Sequence, residues 1–210
     1  MPHLALRSRL CYVAHSSSEI ATSLSARAAT ALRGGAGLIL YRATGRTTRQ
    51  MVDEASDLLV LTRRAGVPLV ISERVDVALA ATAGGAQLGP SDMPPAVARR
   101  LLGPDAIIGV RVGGTADLRE TERQGASYVA VGPLFPDPDL PQTPPVGPGL
   151  VSEVAAVATL PVLAYGGLTL ANLAQVPLDG YGLLAVGRLV DEADDPLQAV
   201  REVVRMLASP

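Results

Sequence analysis

The chain has 210 residues, 48% hydrophobic and 18% charged, which is ample material for one core and argues against disorder. Twenty acidic residues against eighteen basic ones leave a formal charge of −2, so the composition gives no sign of a nucleic-acid surface. One cysteine, two histidines (His3 and His15) and no lysine exclude an intramolecular disulfide, a Cys-based cluster, a multi-histidine zinc site, lysine Schiff-base chemistry and a P-loop.

No run approaches about 18–20 uninterrupted apolar residues, so no membrane span is expected. The stretch LCYVA near the start is shorter than the roughly 7–15-residue core of a signal peptide. The expectation is a soluble cytoplasmic protein.

Short apolar runs alternate with longer amphipathic stretches along the chain. The first run, residues 10–14, precedes a helix capped within Ser16–Ser18 and stopping at Gly34-Gly35. A second run, 37–41, leads to a helix capped by Thr47 or Thr48 that ends at Gly66. Runs 67–71 and 86–88 flank a short helical unit at 76–83. Pro94-Pro95 opens the next helix, since proline fits a first turn. Run 107–110 precedes a helix framed by Thr115, Leu118, Thr121 and Gly125. Run 128–131 leads into the proline-rich span 133–148. Run 161–165, a short unit at 170–174 and run 182–186 complete the series. Several runs have no polar position, as suits strands buried on both faces. Eight strand–helix units without a composition break predict an α/β fold, a single (β/α)8 TIM barrel over residues 1–210. It is lean against about 250 residues for that fold, but an open doubly wound sheet normally uses fewer strands.

In such a barrel the residues ending each strand form the catalytic rim. Here these are His15, Arg42, Ser72-Glu73, Gly89 with Asp92 nearby, Arg111, Gly132-Pro133, Gly166-Gly167 and Gly187-Arg188. Three arginines on one rim imply an anionic ligand, unless each is held in a structural ion pair. Glycines let backbone N–H groups approach a ligand, and the turns after strands seven and eight are the common barrel phosphate site. Gly166, Gly167, Gly187 and Arg188 are the expected phosphate contacts. Glu73 and Asp92 are the only rim carboxylates for Mg²⁺. Asp92 can equally cap the helix at Pro94, and Glu73 can pair with Arg74 or Arg42. His15 either exchanges protons or is a hydrogen-bonded rim residue; His3 is given no role. The 133–148 span is a rigid loop or a lid. Apolar residues on the outer helices serve either homo-oligomer contacts or the helix–barrel core.

The segments LILYRATGR, PLVISERVDVALAATAGGAQLGPSDMP, IIGVRV, ASYVAVGPLFP and LPVLAYGGLTLANL resemble, in this order, the thiamine-phosphate synthase and TenI-like family. The resemblance implies a TIM barrel with thiazole phosphate or thiamine phosphate at the glycine pair. The synthases join a pyrimidine pyrophosphate to a thiazole phosphate with Mg²⁺. Their Gln-x-Arg-x-Lys becomes Leu40, Arg42 and Thr44, and their Asn-Asp becomes Ser72-Glu73. Asp92 is kept, and the serine after strand five becomes Arg111. The Thr-x-Thr-Lys of the long loop becomes Asp137, Asp139 and Leu140, and the cradle serine becomes Arg188. Loss of this set points first to a TenI-like thiazole tautomerase, which shifts a proton without metal. That branch's histidine falls at Gly113, which leaves His15 or Glu73 to move the proton, with Arg42 and Arg111 on carboxylate or phosphate oxygens. The alternatives are an Mg²⁺-dependent thiamine-phosphate synthase and a non-catalytic or regulatory phosphate-binding barrel.

Overall fold

In the computed structural model, which describes residues 4, 6–17, 22–177 and 182–208, eight parallel strands close into a barrel in sequence order. They are β1 (Leu10–Ser16), β2 (Leu38–Ala43), β3 (Leu69–Ser72), β4 (Gly85–Leu88), β5 (Ile107–Arg111), β6 (Tyr128–Val131), β7 (Val162–Tyr165) and β8 (Leu183–Val186). Closure comes from β1 against β8, with Leu10, Cys11 and Tyr12 opposite Leu184, Ala185 and Val186. All eight expected strands are present, and His15, Arg42 and Arg111 lie inside their strands rather than just past them. His3 and Ser18 fall outside the described residues.

The helices are α1 (Leu24–Gly34), α2 (Thr48–Ala65), α3 (Val75–Ala81), α4 (Pro95–Leu102), α5 (Leu118–Arg123), α6 (Gly149–Ala155), α7 (Arg188–Asp191) and α8 (Pro196–Ala208). Helix α1 starts at Leu24 with Ser23 as N-cap, later than the expected start at 16–18. Helix α2 matches the reading closely. Thr47 and Gln50 form a reciprocal capping box, and Gly66, at φ 63°, closes the other end in the left-handed conformation. The unit expected at 170–174 is only a 3₁₀ turn, Leu173–Gln175. No helix among the described residues is long and apolar enough to cross a membrane.

Two apolar layers follow from strand alternation. Leu10, Tyr12, Ala14, Ile39, Tyr41 and Ile71 point outward to the helices. Cys11, Leu38, Leu40, Val70, Tyr128, Ala130, Leu163, Leu183 and Ala185 fill the barrel interior. Tyr128 is fully buried and donates to Gln87 Oε1 at 2.9 Å, which satisfies both groups inside the barrel. Its ring fits because residue 109 has no side chain: a Cβ there would lie 2.2 Å from Tyr128 Cζ.

Arg99 shows why arginine serves this fold as a half-buried bracket. It donates to the carbonyls of Pro104, Ala106 and Gly125, tying the α4–β5 and α5–β6 connections together. A lysine could not present five donors in a planar fork.

Gly109→Ala should push the Tyr128 ring off Gln87 and destabilise the protein by about 1–3 kcal/mol, as overpacked cores do. Thermal denaturation monitored by circular dichroism should show this as a melting temperature lowered by several degrees.

Candidate active site at the barrel mouth

Strand parity aims the mouth. Interior positions on β1 are Cys11, Val13 and then His15; on β2 they are Leu38, Leu40 and then Arg42. The same count on the other strands brings Ser72, Gln87, Arg111, Tyr165 and Gly187 to the carboxyl ends, facing the barrel axis. A cavity of about 490 Å³ opens there. Val13, Leu40, Ala185 and Gln87 line it deep in the barrel, while Leu140, Leu168, Leu170 and Leu189 form apolar walls. Arg42, Arg111 and Arg188 supply positive charge to the lining, and Asp137, Asp139 and Glu192 supply negative charge.

The two expected glycine turns do meet on this cavity: Gly166, Gly167 and Gly187 all line it. Gly166 and Gly167 have φ of 95° and 65°. A Cβ on Gly167 would lie 2.5 Å from the carbonyl oxygens of Phe135 and Pro136, so glycine is required by close backbone approach as well as by φ. The approaching chain is the 133–148 loop, which continues the hydrogen bonding of β7. Leu134 N–H donates to Tyr165 O at 2.9 Å, and Phe135 N–H donates to Gly166 O at 3.2 Å.

Beyond that anchor the loop turns inward. Asp137 Oδ2 accepts the Gly167 N–H at 3.1 Å. Asp139 reaches three expected site residues: its carboxylate lies 3.5 Å from His15 Nδ1 and 3.5 Å from Arg188 Nη1, and its carbonyl accepts from Arg42 at 2.9 Å. His15 Nε2 meets Thr44 Oγ1 at 3.0 Å, so both ring nitrogens are engaged. The His15 hydrogen bond, with the charges of His15, Arg188 and Arg42, holds the Asp139 carboxyl below the usual aspartate range against the opposing effect of burial.

Glu73 and Asp92 take other partners. Glu73 pairs with Arg111 at 2.5 Å, not with Arg74 or Arg42; Arg74 pairs with Asp76 instead. Asp92 Oδ2 accepts the Gly89 N–H at 2.7 Å, closing the turn after β4, while α4 has no side-chain cap. Neither carboxylate lines the mouth cavity. Among the described residues no group of three or more His, Cys, Asp or Glu side chains is arranged to hold a metal. Glu73 is thus engaged by a guanidinium through Oε1, and Asp92 by a backbone N–H through Oδ2.

Sequence reasoning missed the support behind His15. Arg27 Nη1 binds Asp191 Oδ2 at 2.5 Å, Arg27 Nη2 binds the His15 carbonyl at 2.8 Å, and Tyr12 Oη donates to Asp191 Oδ1 at 2.5 Å. Burial and the neighbouring Asp191 carboxylate push the Tyr12 phenol well above its usual range, so it remains a donor. Arg27 and Asp191 lie 164 positions apart, and only barrel closure brings them together.

The sequence pattern of the family described as thiamine monophosphate synthase matches residues 10–190. Thiamine-phosphate synthase of Roseiflexus castenholzii is 43% identical over 179 residues, covering 85% of this chain and 78% of that protein. The Chloroflexus aurantiacus enzyme of the same name is 41% identical over 174 residues, covering 82% and 80%. Thiamine phosphate pyrophosphorylase from Pyrococcus furiosus superposes with a TM-score of 0.82 at 31% identity, covering 96% of this chain and 98% of that one. The N-acetylmannosamine-6-phosphate 2-epimerase from Clostridium perfringens, at 18% identity, has a TM-score of 0.65 over 95% and 93% of the two chains and shares the fold alone.

Two outcomes follow. Asp191→Ala leaves Arg27 charged and nearly buried without its partner, and should cost about 3–5 kcal/mol in chemical denaturation. Because the Asp139 carboxyl is lowered on folding, its stabilisation is fully present above the ordinary aspartate range and is lost as pH falls through the lowered value. Asp139→Asn should therefore flatten the acid limb of stability measured against pH.

Proposed function

The chain belongs to the thiamine monophosphate synthase family, and on that premise we propose that its barrel mouth holds a thiazole of the thiamine pathway and serves thiamine-phosphate formation. The carrying observation is the mouth cavity of about 490 Å³, which joins apolar walls, both glycine turns and three arginines. An apolar cavity with a few convergent polar groups suits a small heteroaromatic ring bearing a charged tail. The tail points toward Gly166, Gly167, Gly187 and Arg188. Arg42 is the freest cation of the mouth: among the described residues no carboxylate lies within ion-pair distance of it, and its Nη2 donates to the Asp139 carbonyl. Arg42, assisted by Arg111, takes the charge of a leaving pyrophosphate in place of the missing lysines.

The relatives support this reading over the TenI-like tautomerase that the lost synthase residues first suggested. The geometry offers the tautomerase no better base, since His15 is held by Asp139 and Thr44 and Glu73 by Arg111. Binding without turnover is the second reading, favoured by the carboxylate of Asp137 on the Gly167 N–H.

Incubation with a pyrimidine pyrophosphate and a thiazole phosphate, followed by chromatography, should yield thiamine phosphate and pyrophosphate. Arg42→Ala should slow the reaction at least about tenfold, the loss of one charge-stabilising contact. Calorimetry should show thiazole phosphate binding that Arg188→Ala weakens. Binding with no product, beside an active relative as control, replaces the first reading by the second; no binding at millimolar ligand removes both.

A further inference from the structure

The cradle expected to receive a phosphate is already met by an anion of the chain's own. We infer that Asp137 is a specificity-determining residue whose carboxylate on the Gly167 N–H makes the mouth accept an unphosphorylated thiazole alcohol on terms equal to or better than its phosphate ester. This inference rests on the thiazole reading above.

Three observations carry it. Asp137 is delivered to the cradle by backbone that does not depend on the side chain. The bonds of Leu134 to Tyr165 and of Phe135 to Gly166 are joined by Val146 N–H to Pro133 O at 2.8 Å and Gly147 N–H to Leu134 O at 3.2 Å, which fasten both limbs of the loop. Both carboxylate oxygens are also in use, Oδ2 on the Gly167 N–H and Oδ1 on the Asp139 N–H at 2.9 Å. Lastly, the lining is balanced in charge. Arg42, Arg111 and Arg188 face Asp137, Asp139 and Glu192, and Arg188 is already paired with both Asp139 and Glu192.

A phosphate entering this cradle must displace one carboxylate and lie beside another, with Arg42 alone of the three lining arginines outside an ion pair to offset the repulsion. A hydroxyl meets no such penalty. It can donate to Asp137 Oδ2 and leave the Gly167 bond in place, because a carboxylate oxygen accepts more than one hydrogen bond.

The test compares a hydroxyethyl thiazole and its phosphate monoester by calorimetry on the wild type and on Asp137→Asn. The amide keeps one oxygen for the Asp139 N–H and turns its NH₂ toward Gly167, which frees that N–H and removes the charge. Wild type should bind the alcohol at least as tightly as the ester. D137N should bind the ester about tenfold to a hundredfold more tightly, the range of a charge-assisted hydrogen bond, with little change for the alcohol. An ester affinity equal in wild type and D137N overturns the inference and leaves the thiazole reading intact. So does a wild type that binds the ester more tightly than the alcohol. Failure of both ligands on both proteins removes the thiazole reading, and the inference with it. Asp137→Ser, whose hydroxyl also accepts from the Asp139 N–H, supplies the same comparison if D137N melts early.

Discussion

Side chains on a parallel strand alternate with a period of two, and in a sheet that closes on itself a one-residue slip would turn every interior residue outward. That constraint places the mouth of this protein. With Cys11 set against Leu38 and Ala185, the interior count runs to His15 on β1, Arg42 on β2 and Gly187 after β8. The small interior positions matter as much as the large ones. Gly109 makes room for Tyr128, and Tyr128 in turn holds Gln87 beneath the cavity.

Above that frame, the electrostatics are organised by an acidic loop rather than by a basic pocket. Asp139 gathers His15, Arg42 and Arg188, one each from β1, β2 and the start of α7. Asp137 occupies the backbone donor between them and β7. The arginines that made the rim look anion-seeking are largely neutralised within the chain. Glu73 balances Arg111, and Glu192 with Asp139 balances Arg188. The family scaffold here carries a nearly balanced charge pattern at its mouth.

Much of this was legible in the residues. The eight strands could be read because short apolar runs, several of them without a polar position, alternate with longer amphipathic stretches, and the caps of α2 because Thr47, Gln50 and Gly66 each have a local geometric role. The convergence of Gly167 and Gly187 followed from ring closure alone. The partners of Glu73, Asp92 and Asp139 were not legible, since each depends on how far a loop leans over the rim, which no periodicity records. Residues 188–208 are a different case. Val200, Val203 and Leu207 repeat at helical spacing and are buried in α8, a periodicity that marks this helix in the residues themselves.

The network of Tyr12, Arg27 and Asp191 lies across the seam where the first βα unit meets the last. Arg27 also holds the carbonyl of His15, so the latch on this seam and the platform for the site's histidine are one assembly. Loosening at the seam would therefore cost the barrel its closure and the mouth its geometry together. Substitutions in this assembly cannot tune resilience and ligand handling independently.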